Sequence, residues 1–572
     1  MRLNGLQAAL LAVTLGFSST GFAQKDEALL SMAESRKTAF VADLEKLVNI
    51  DTGTGDTAGL TQVEAILTAR LKALGAEVQA VPSEAPAVGN ILVGTLKGSG
   101  DKNAMLVVHY DTVFGPGEVA KRPFKVVGNK AYGPGVADAK ATAEEIARLG
   151  KDLTCVGAEK AGNADGSIPP WSGKWLGVPP GVEFKGTGFH PVDPYPAEKP
   201  LYVITAANMA QYAQRLSAGQ KALFKRYPGT YKIAVYPTHR DFRFPDAVCK
   251  TTLENAASAE LVDNGEGVMG ASGGTLFPIP KTGLELLWNA TMPYRAWTEE
   301  LVSDNAYVLA DGKVNWGRVR SRNLAPGVEP GRKGKTLGNS SFYLNETLLP
   351  ERDKGEVNTG TEFWNFAKEP RQSWRYDPGT RRVRQSPGYG YDMPFPGTGG
   401  SIAVDEVRLF NGSPERFNWK IVGKKELYVP YNAYRLHSDK LKYADLIRPG
   451  HLNPDALRYE LHRVWVVEGT LKDGYRHLYS KRTLYVDEDT WFMLMADNYD
   501  SRGELWRTSV VNYFYAYEMN TWQAGVGLYH DLNAGTYLAF NLVNEQPGAY
   551  KLNQGKFTER DFGPEAARRM GL

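Results

Sequence analysis

An α+β fold is predicted, built on a large curved antiparallel sheet with short helices and preceded by a smaller α/β segment. Three observations carry that expectation. Between Pro370 and Arg507, aromatic and arginine residues alternate in short runs separated by turn residues, the pattern of antiparallel strands. Gly at 60 and Pro at 33 exceed their usual share, which suits a turn-rich β protein. Ahead of residue 141, apolar residues at helical spacing alternate with short apolar runs, the signature of an α/β unit. At 572 residues the chain exceeds the ~300 at which single cores stop growing, so at least two domains are expected.

Composition excludes several classes of function. Hydrophobic residues at 42%, charged residues at 23% and a net charge of +3 give no bulk electrostatic case for nucleic acid. Met1 to Ala23 carries Arg2, an apolar run from Ala8 to Phe17 and small residues at Gly21 and Ala23, the layout of a cleaved export signal. No other run approaches the ~20 apolar residues of a membrane span. Cys155 and Cys249 are too few for a disulfide framework. An oxidising compartment permits one bridge, but the pair is expected to be two unpaired small residues.

Helices are predicted over Phe40 to Val48 and over Val63 to Leu74, the second stopped by Gly75, with strands at Ile91 to Leu96 and Met105 to His109. Thr142 to Gly150 reads as a short helix with a capping-box start. Residues 157–200 read as an extended, ordered loop rich in Gly, Pro and Trp. Ile204 to Leu216 is amphipathic, Gln220 to Pro228 is a helix ended by proline, and Tyr231 to Tyr236 is a strand. Arg371-Gln-Ser-Trp-Arg-Tyr376, Asp377-Pro-Gly-Thr380 and Arg381-Arg-Val-Arg-Gln385 read as strand, turn and strand. Lys481 to Val486, Trp491 to Met495 and Glu504 to Arg507 continue the meander. Along Arg458 to Leu471 one face is more polar than the other, the pattern of a sheet that buries one side.

Asp51-Thr-Gly-Thr-Gly-Asp56, His109-Tyr-Asp-Thr-Val113 and Gly133-Pro-Gly-Val-Ala-Asp-Ala-Lys140 resemble, in order and spacing, the zinc-dependent M20 metallopeptidases and above all the glutamate carboxypeptidases. The resemblance implies that His109 ligates one zinc, that Asp111 orients that imidazole as part of the catalytic apparatus, and that Asp138 bridges two metals. It stops at Ala141-Thr142. The glutamate base, its neighbouring ligand and the late histidine are missing, and Glu144-Glu145, on a helix start, does not replace them.

Downstream, seven stretches resemble the DUF1329 family of exported bacterial proteins, related to the LolA and LolB carriers of outer-membrane lipoprotein sorting. They are Val156 to Gly166, Phe277 to Pro280, Phe417 to Leu427, Gly450 to Pro454 with Arg458 to Glu468, and Tyr485 to Trp491 with Asp497 to Gly503. That resemblance implies an open half-barrel and a periplasmic location, with residues 1–23 a signal peptide, 24–140 a partial peptidase-like segment and 141–572 a carrier-like β domain. The break near residue 141 reads as a junction, natural or artificial, between two exported proteins.

Carriers of this kind shield acyl chains in an apolar interior, so a lipid or acylated lipoprotein is the expected partner, with an outer-membrane or transporter protein beyond it and no nucleic acid. Candidate cavity-lining residues are Trp374, Tyr376, Trp419, Trp465, Tyr485, Trp491, Phe492 and Trp506, for which ordinary sheet packing is the alternative. Arg371, Arg375, Arg381, Arg382 and Arg384 offer guanidinium groups to phosphate or form a solvated strand face. His437, His451, His462 and His477 show no ligand spacing. The expected function is non-catalytic lipid or lipoprotein transfer that requires no cofactor. A zinc carboxypeptidase with an incomplete site and a structural envelope protein are the alternatives.

Overall fold

The computed structural model describes residues 41–571 except 43, 74, 85–87, 96–108, 128–129, 137–152, 332–337, 387–389, 397 and 555–556. The chain divides into two compact units, Met1–Leu153 and Thr154–Leu572. The export signal, Asp138, Glu144-Glu145 and the Thr142 to Gly150 helix lie outside the described residues.

In the first unit, helix α1 (Thr57–Ala73) precedes a hairpin of β1 (Glu77–Pro82) and β2 (Asn90–Thr95), in antiparallel register from Glu77↔Thr95 to Pro82↔Asn90. A second hairpin pairs β3 (Lys125–Val127) with β4 (Lys130–Tyr132). Leu44, Val48, Ala131 and Val136 form a small core, while Ile91 at 57% and Val93 at 41% remain exposed on β2.

The second unit is α+β, with one large, open, curved sheet and few helices, as the sequence predicts. Two short strands lead, β5 (Tyr202–Ile204) and β6 (Ile233–Val235), and a small separate hairpin pairs β7 (Glu260–Val262) with β8 (Gly267–Met269). The first meander contains β9 (Thr298–Val308), β10 (Val314–Leu324), β11 (Asn339–Leu349), β12 (Val357–Phe363), β13 (Gln372–Asp377) and β14 (Arg382–Gln385). After β15 (Phe417–Pro430), the second contains β16 (Tyr459–Leu471), β17 (Lys481–Asp487), β18 (Met493–Tyr499), β19 (Leu505–Ala516), β20 (Thr521–Asp531) and β21 (Thr536–Leu542). Within each meander, consecutive strands are neighbours. β21 then pairs with β9 and β22 (Lys551–Leu552) with another stretch of β9, joining both meanders in one 16-stranded sheet. Among the described residues, every strand pairing of this sheet is antiparallel except the Tyr459↔Val235 contact of β16 with β6.

Four helices of the second unit matter here: α2 (Ala218–Arg226), α3 (Asp246–Ser258), α4 (Gly283–Thr291) and α5 (Pro564–Gly571). Capping boxes at Ser217/Gln220 and Thr282/Glu285 start α2 and α4. α5 covers Tyr376, Leu344 and Val357 through Ala566 and Ala567.

The fold departs from the sequence reading in four places. Cys155 and Cys249 are bonded to each other, not unpaired. The bridge ties the start of the second unit to α3 and closes a separation of 94 residues, worth about 4.7 kcal/mol on the chain-entropy account. β16 is buried on both faces, not one: residues 156–161 lie against Arg463, and residues 238–240 against Glu460. Ile204 to Leu216 forms the end of β5 and a 3-10 turn over Met209–Arg215, because the Asn208 side chain accepts from Thr205 N and donates to Val203 O, a local alternative to helix. Arg371 is not on a solvated face: its side chain is 8% exposed and pairs with Glu362 at 2.5 Å, whereas Arg375, 56% exposed, stays on the solvated face while pairing with Glu356 at 2.5 Å.

The N-terminus of α2 docks on the sheet at Gly219, whose N–H donates to the buried Asp497 Oδ1 at 3.1 Å. A Cβ there would overlap Asp497 Oδ1 and Thr508 Oγ1. Gly219→Ala is therefore expected to cost about 1–3 kcal/mol through overpacking, whereas Gly229→Ala, where a Cβ meets nothing within 4 Å, is expected to be near neutral. Urea unfolding of both variants checks this, and equal midpoints would contradict the docking.

Candidate functional site

Residues 154–201 cross the second unit with no helix or strand, a strap whose backbone polar groups need partners from elsewhere. Two arginines of the body supply them. The Arg240 side chain, 1% exposed, donates through Nε and Nη2 to the two oxygens of Asp489 at 2.8 and 2.7 Å. Its remaining donors reach the carbonyls of Glu159 (2.5 Å), Ala161 (3.2 Å) and Pro169 (3.2 Å). Arg463 donates to Glu488 Oε2 at 2.7 Å and to the carbonyls of Glu159 and Ala161 at 2.9 and 2.7 Å. Lys424 Nζ donates to Glu159 Oε1 at 2.7 Å and also to Glu488.

Four of the sequence motifs thus meet at one point: the strap's Val156 to Gly166, β15 through Lys424, β16 through Arg458 to Arg463, and the β17–β18 turn through Asp487 to Trp491. Glu460 accepts from Arg458 Nε at 2.7 Å, Asn432 Nδ2 at 3.0 Å and His239 N at 3.0 Å, with His462 Nε2 at 3.2 Å. Burial alone would raise its pKa, but Arg458 and His462 hold it down to about 2. Asp487 goes the other way. Burial first, then the charge of Asp489, push it up to about 7. Tyr431 and Thr490 donate to its Oδ2 at 3.0 and 2.6 Å, and its Oδ1 has no hydrogen-bond partner.

His462, Asp487 and Asp489 bring donor atoms within 4.8 Å of one another. A histidine and two carboxylates suit a divalent cation, yet both Asp489 oxygens are given to Arg240 and His462 Nε2 faces Glu460. The arrangement is an ionic lock between strap and sheet. Sequence spacing does not reveal His462 as part of it, because its partners come from a turn 25 residues on in Asp487 and from Glu460 two residues before it. The useful signal is that all these charges sit in otherwise strand-like, apolar runs.

Beyond the lock the strap lies on aromatic rings. Trp175 packs on Phe242 at 5.3 Å, Phe184 on Tyr517 at 5.4 Å, and Tyr195 stacks on His239 at 3.7 Å. Gly188 N donates to Tyr550 O at 2.8 Å, and Tyr517 OH to Val192 O at 2.8 Å. Under it, His239, Phe242, Tyr431, Asp489 and Trp522 line a cavity of about 30 Å³, room for a water molecule or two. The indole N–H of Trp522 there is buried without a partner.

The aromatic residues singled out from sequence are only partly brought together. Trp465 and Trp491 stack at 6.2 Å, with Trp491 Nε1 donating to Val156 O, and Phe492 packs on Tyr513 at 4.8 Å. Tyr485 donates to Asp497 at 2.9 Å beneath α2. Trp419 packs on Phe410 at 5.0 Å, Trp506 donates to Asp531 at 2.9 Å, Tyr376 sits under α5, and Trp374 is half-buried on β13. In the first unit, His109 Nδ1 lies 3.1 Å from Asp111 Oδ1, and Thr54 donates to Asp111 Oδ2 at 2.7 Å.

The family model described as a protein of unknown function (DUF1329) matches residues 203–568. An uncharacterized protein of Pseudomonas aeruginosa is 41% identical over 440 residues, which is 76% of this chain and 95% of that one. Carboxypeptidase G2 of a Pseudomonas species, strain RS-16, is 48% identical over 134 residues, which is 23% of this chain and 32% of the enzyme. Among solved structures, a LolA superfamily protein of Nitrosomonas europaea covers 50% of this chain and 99% of its own, at 13% identity and a TM-score of 0.30.

Asp487 gives the lock a pH dependence. Its pKa is raised from the ordinary 3.8 to about 7, so its contribution to stability is fully present below the ordinary value and is lost as pH rises through the folded one. Glu460, held low, contributes above its ordinary value and loses that contribution only as pH falls toward about 2. Asp487→Asn is therefore expected to gain on the wild type between about pH 5 and pH 8, by on the order of 2 kcal/mol. Thermal unfolding of both proteins across that range measures it; parallel pH profiles would contradict it.

Proposed function

The chain belongs to the DUF1329 family, and from that membership we propose that it is an exported periplasmic protein that binds a lipid or acylated lipoprotein and passes it to a partner at the outer membrane. The observation that carries this reading is the strap. A carrier needs apolar surface that is covered when empty and uncovered on demand. Residues 171–195 cover Phe242 and Tyr517 without being part of the sheet, held by separate hydrogen bonds, the Lys174–Asp241 ion pair and a few ring contacts instead of a strand ladder. Such segments open at far lower free energy than paired strands. Each acyl methylene moved from water onto the uncovered rings contributes about 0.8 kcal/mol, so a chain of ordinary length repays the opening without any reactive group.

The rigid part of the site is the ionic lock, which anchors the strap at residues 156–169 while the rest is free to lift. Exposed Leu176, Val178, Phe189 and Leu201 on the strap, at 41%, 45%, 54% and 63%, give an incoming chain or partner an apolar landing surface. Among the described residues, no helix is long and apolar enough to cross a membrane.

A second reading has one observation behind it. The His109–Asp111 pair has the geometry of an imidazole held for metal binding, which favours a zinc hydrolase related to carboxypeptidases. One imidazole falls short of the three protein ligands of a catalytic zinc, so the described residues do not fit that metal, and no reaction is drawn through it.

The exported chain, purified from the periplasm and extracted with organic solvent, is expected to release lipid in near-equimolar amount and to take it up again from vesicles. A chain that yields no lipid and takes up none would contradict the carrier reading; a structural envelope protein behaves that way.

A further inference from the structure

The large sheet ends on an open edge. β14 pairs with β13, and among the described residues no strand lies on its other side. Ser386 N donates to Ser373 O at 2.9 Å, and the register runs from Asp377↔Arg382 to Trp374↔Gln385. Hydrogen-bonded and open positions alternate along an antiparallel pair. Arg382, Arg384 and Ser386 therefore turn their backbone groups to β13, while Val383 and Gln385 turn theirs outward. A row of outward N–H and C=O groups is a template for another strand.

The two faces of this hairpin differ. On one, Val383 and Tyr376 pack with Ala566 and Met570 of α5. On the other stand Arg382 and Arg384, both exposed, with Arg384 directly across from Arg375, a like-charge placement that destabilises the bare hairpin. Arg375 has Glu356 as its partner, whereas among the described residues no carboxylate pairs with Arg381, Arg382 or Arg384. Asp377, across from Arg382, accepts with Oδ1 from the turn amides of Gly379 and Thr380 at 2.8 and 3.1 Å.

Charge decides which strand such an edge accepts. Two copies of β14 meeting edge to edge would set arginines against arginines, which disfavours a second copy of this chain. Acidic side chains beside Arg382 and Arg384 are favoured, since a guanidinium binds a carboxylate through paired hydrogen bonds.

We propose that the open edge of β14 docks an acidic, extended segment of a partner protein as a further antiparallel strand. In that arrangement the partner's residues opposite Val383 and Gln385 hydrogen-bond to them and place apolar side chains on the α5 side. Those opposite Arg382 and Arg384 are Asp or Glu, and their own N–H groups point away from the sheet. Backbone pairing supplies affinity, and the alternation of acidic and apolar residues supplies specificity. This docking needs no cargo under the strap, so no lipid enters its test.

Fluorescence anisotropy of a labelled Glu-Val-Glu-Val-Glu-Val-Glu peptide with the full exported chain tests it. The peptide is expected to bind. N-methylation of its valines is expected to weaken it at least about tenfold through lost backbone hydrogen bonds, and N-methylation of its glutamates by less than about threefold. The double variant Arg382→Glu with Arg384→Glu, which changes exposed side chains, is expected to weaken the peptide at least about tenfold and to accept the Lys-Val counterpart in its place. A peptide with the same residues in blocks, Glu-Glu-Glu-Glu-Val-Val-Val, is expected to bind at least about tenfold more weakly. Equal affinity of the block and alternating peptides, or equal effects of the two N-methylated forms, would overturn strand addition. No binding of the alternating peptide would overturn the docking site. Binding to phosphatidylglycerol vesicles that the double variant loses, with no binding of the peptide, would overturn it in favour of a membrane surface.

Discussion

The commitment of all Arg240 donors at once is the constraint on which the site depends. A guanidinium at 1% exposure must satisfy its five N–H groups inside the protein, and here two go to Asp489 and three to strap carbonyls. The strap's first part is thereby made a fixed element although it has no secondary structure. Arg463 and Lys424 repeat the device on the same strap residues, Arg463 at the carbonyls of Glu159 and Ala161 and Lys424 at the Glu159 carboxylate. Removing one partner from such a network leaves a buried charge uncompensated, which costs about 3–5 kcal/mol, so the strap's root and the sheet's central strands are one cooperative piece.

The rest of the strap is held differently. From Trp175 to Tyr195 its contacts are individual hydrogen bonds and ring contacts, each worth on the order of 1 kcal/mol. A rigid root with a weakly held span is the mechanical requirement of a cover that opens without unfolding what lies below. The interior it covers is aromatic and carries charge at the ionic lock around Asp489.

Much of the architecture was legible in the sequence, because strand alternation and turn chemistry are local. The hairpin of β13 and β14 falls where Asp377-Pro-Gly-Thr380 places it, and α2 begins at Ser217 and ends before Pro228. The two-sided burial of β16 was not legible, since its polar residues Glu460 and His462 read as a solvated face, yet they are satisfied by Asn432, Arg458 and His239 from segments distant in sequence or folded back on it. The disulfide was hidden for the same reason: Cys155 and Cys249 are brought together by the path of the strap, which no local pattern describes. For the site, the motifs named the right segments, but the aromatic residues are the more conspicuous pattern, and the arginines that clamp, Arg240 and Arg463, do not stand out among the many arginines of the chain.

The central claim is that the span of the strap, and not the sheet, is the part that opens around a ligand. Amide hydrogen exchange on the exported chain, with and without dodecyl phosphate, tests it most directly. The amides of residues 171–192 are predicted to exchange at least about 100-fold faster than those of β16 to β19 in the free protein, and to change protection when the amphiphile binds, while the sheet does not. Strap amides as protected as the central strands, and indifferent to the amphiphile, would contradict the account.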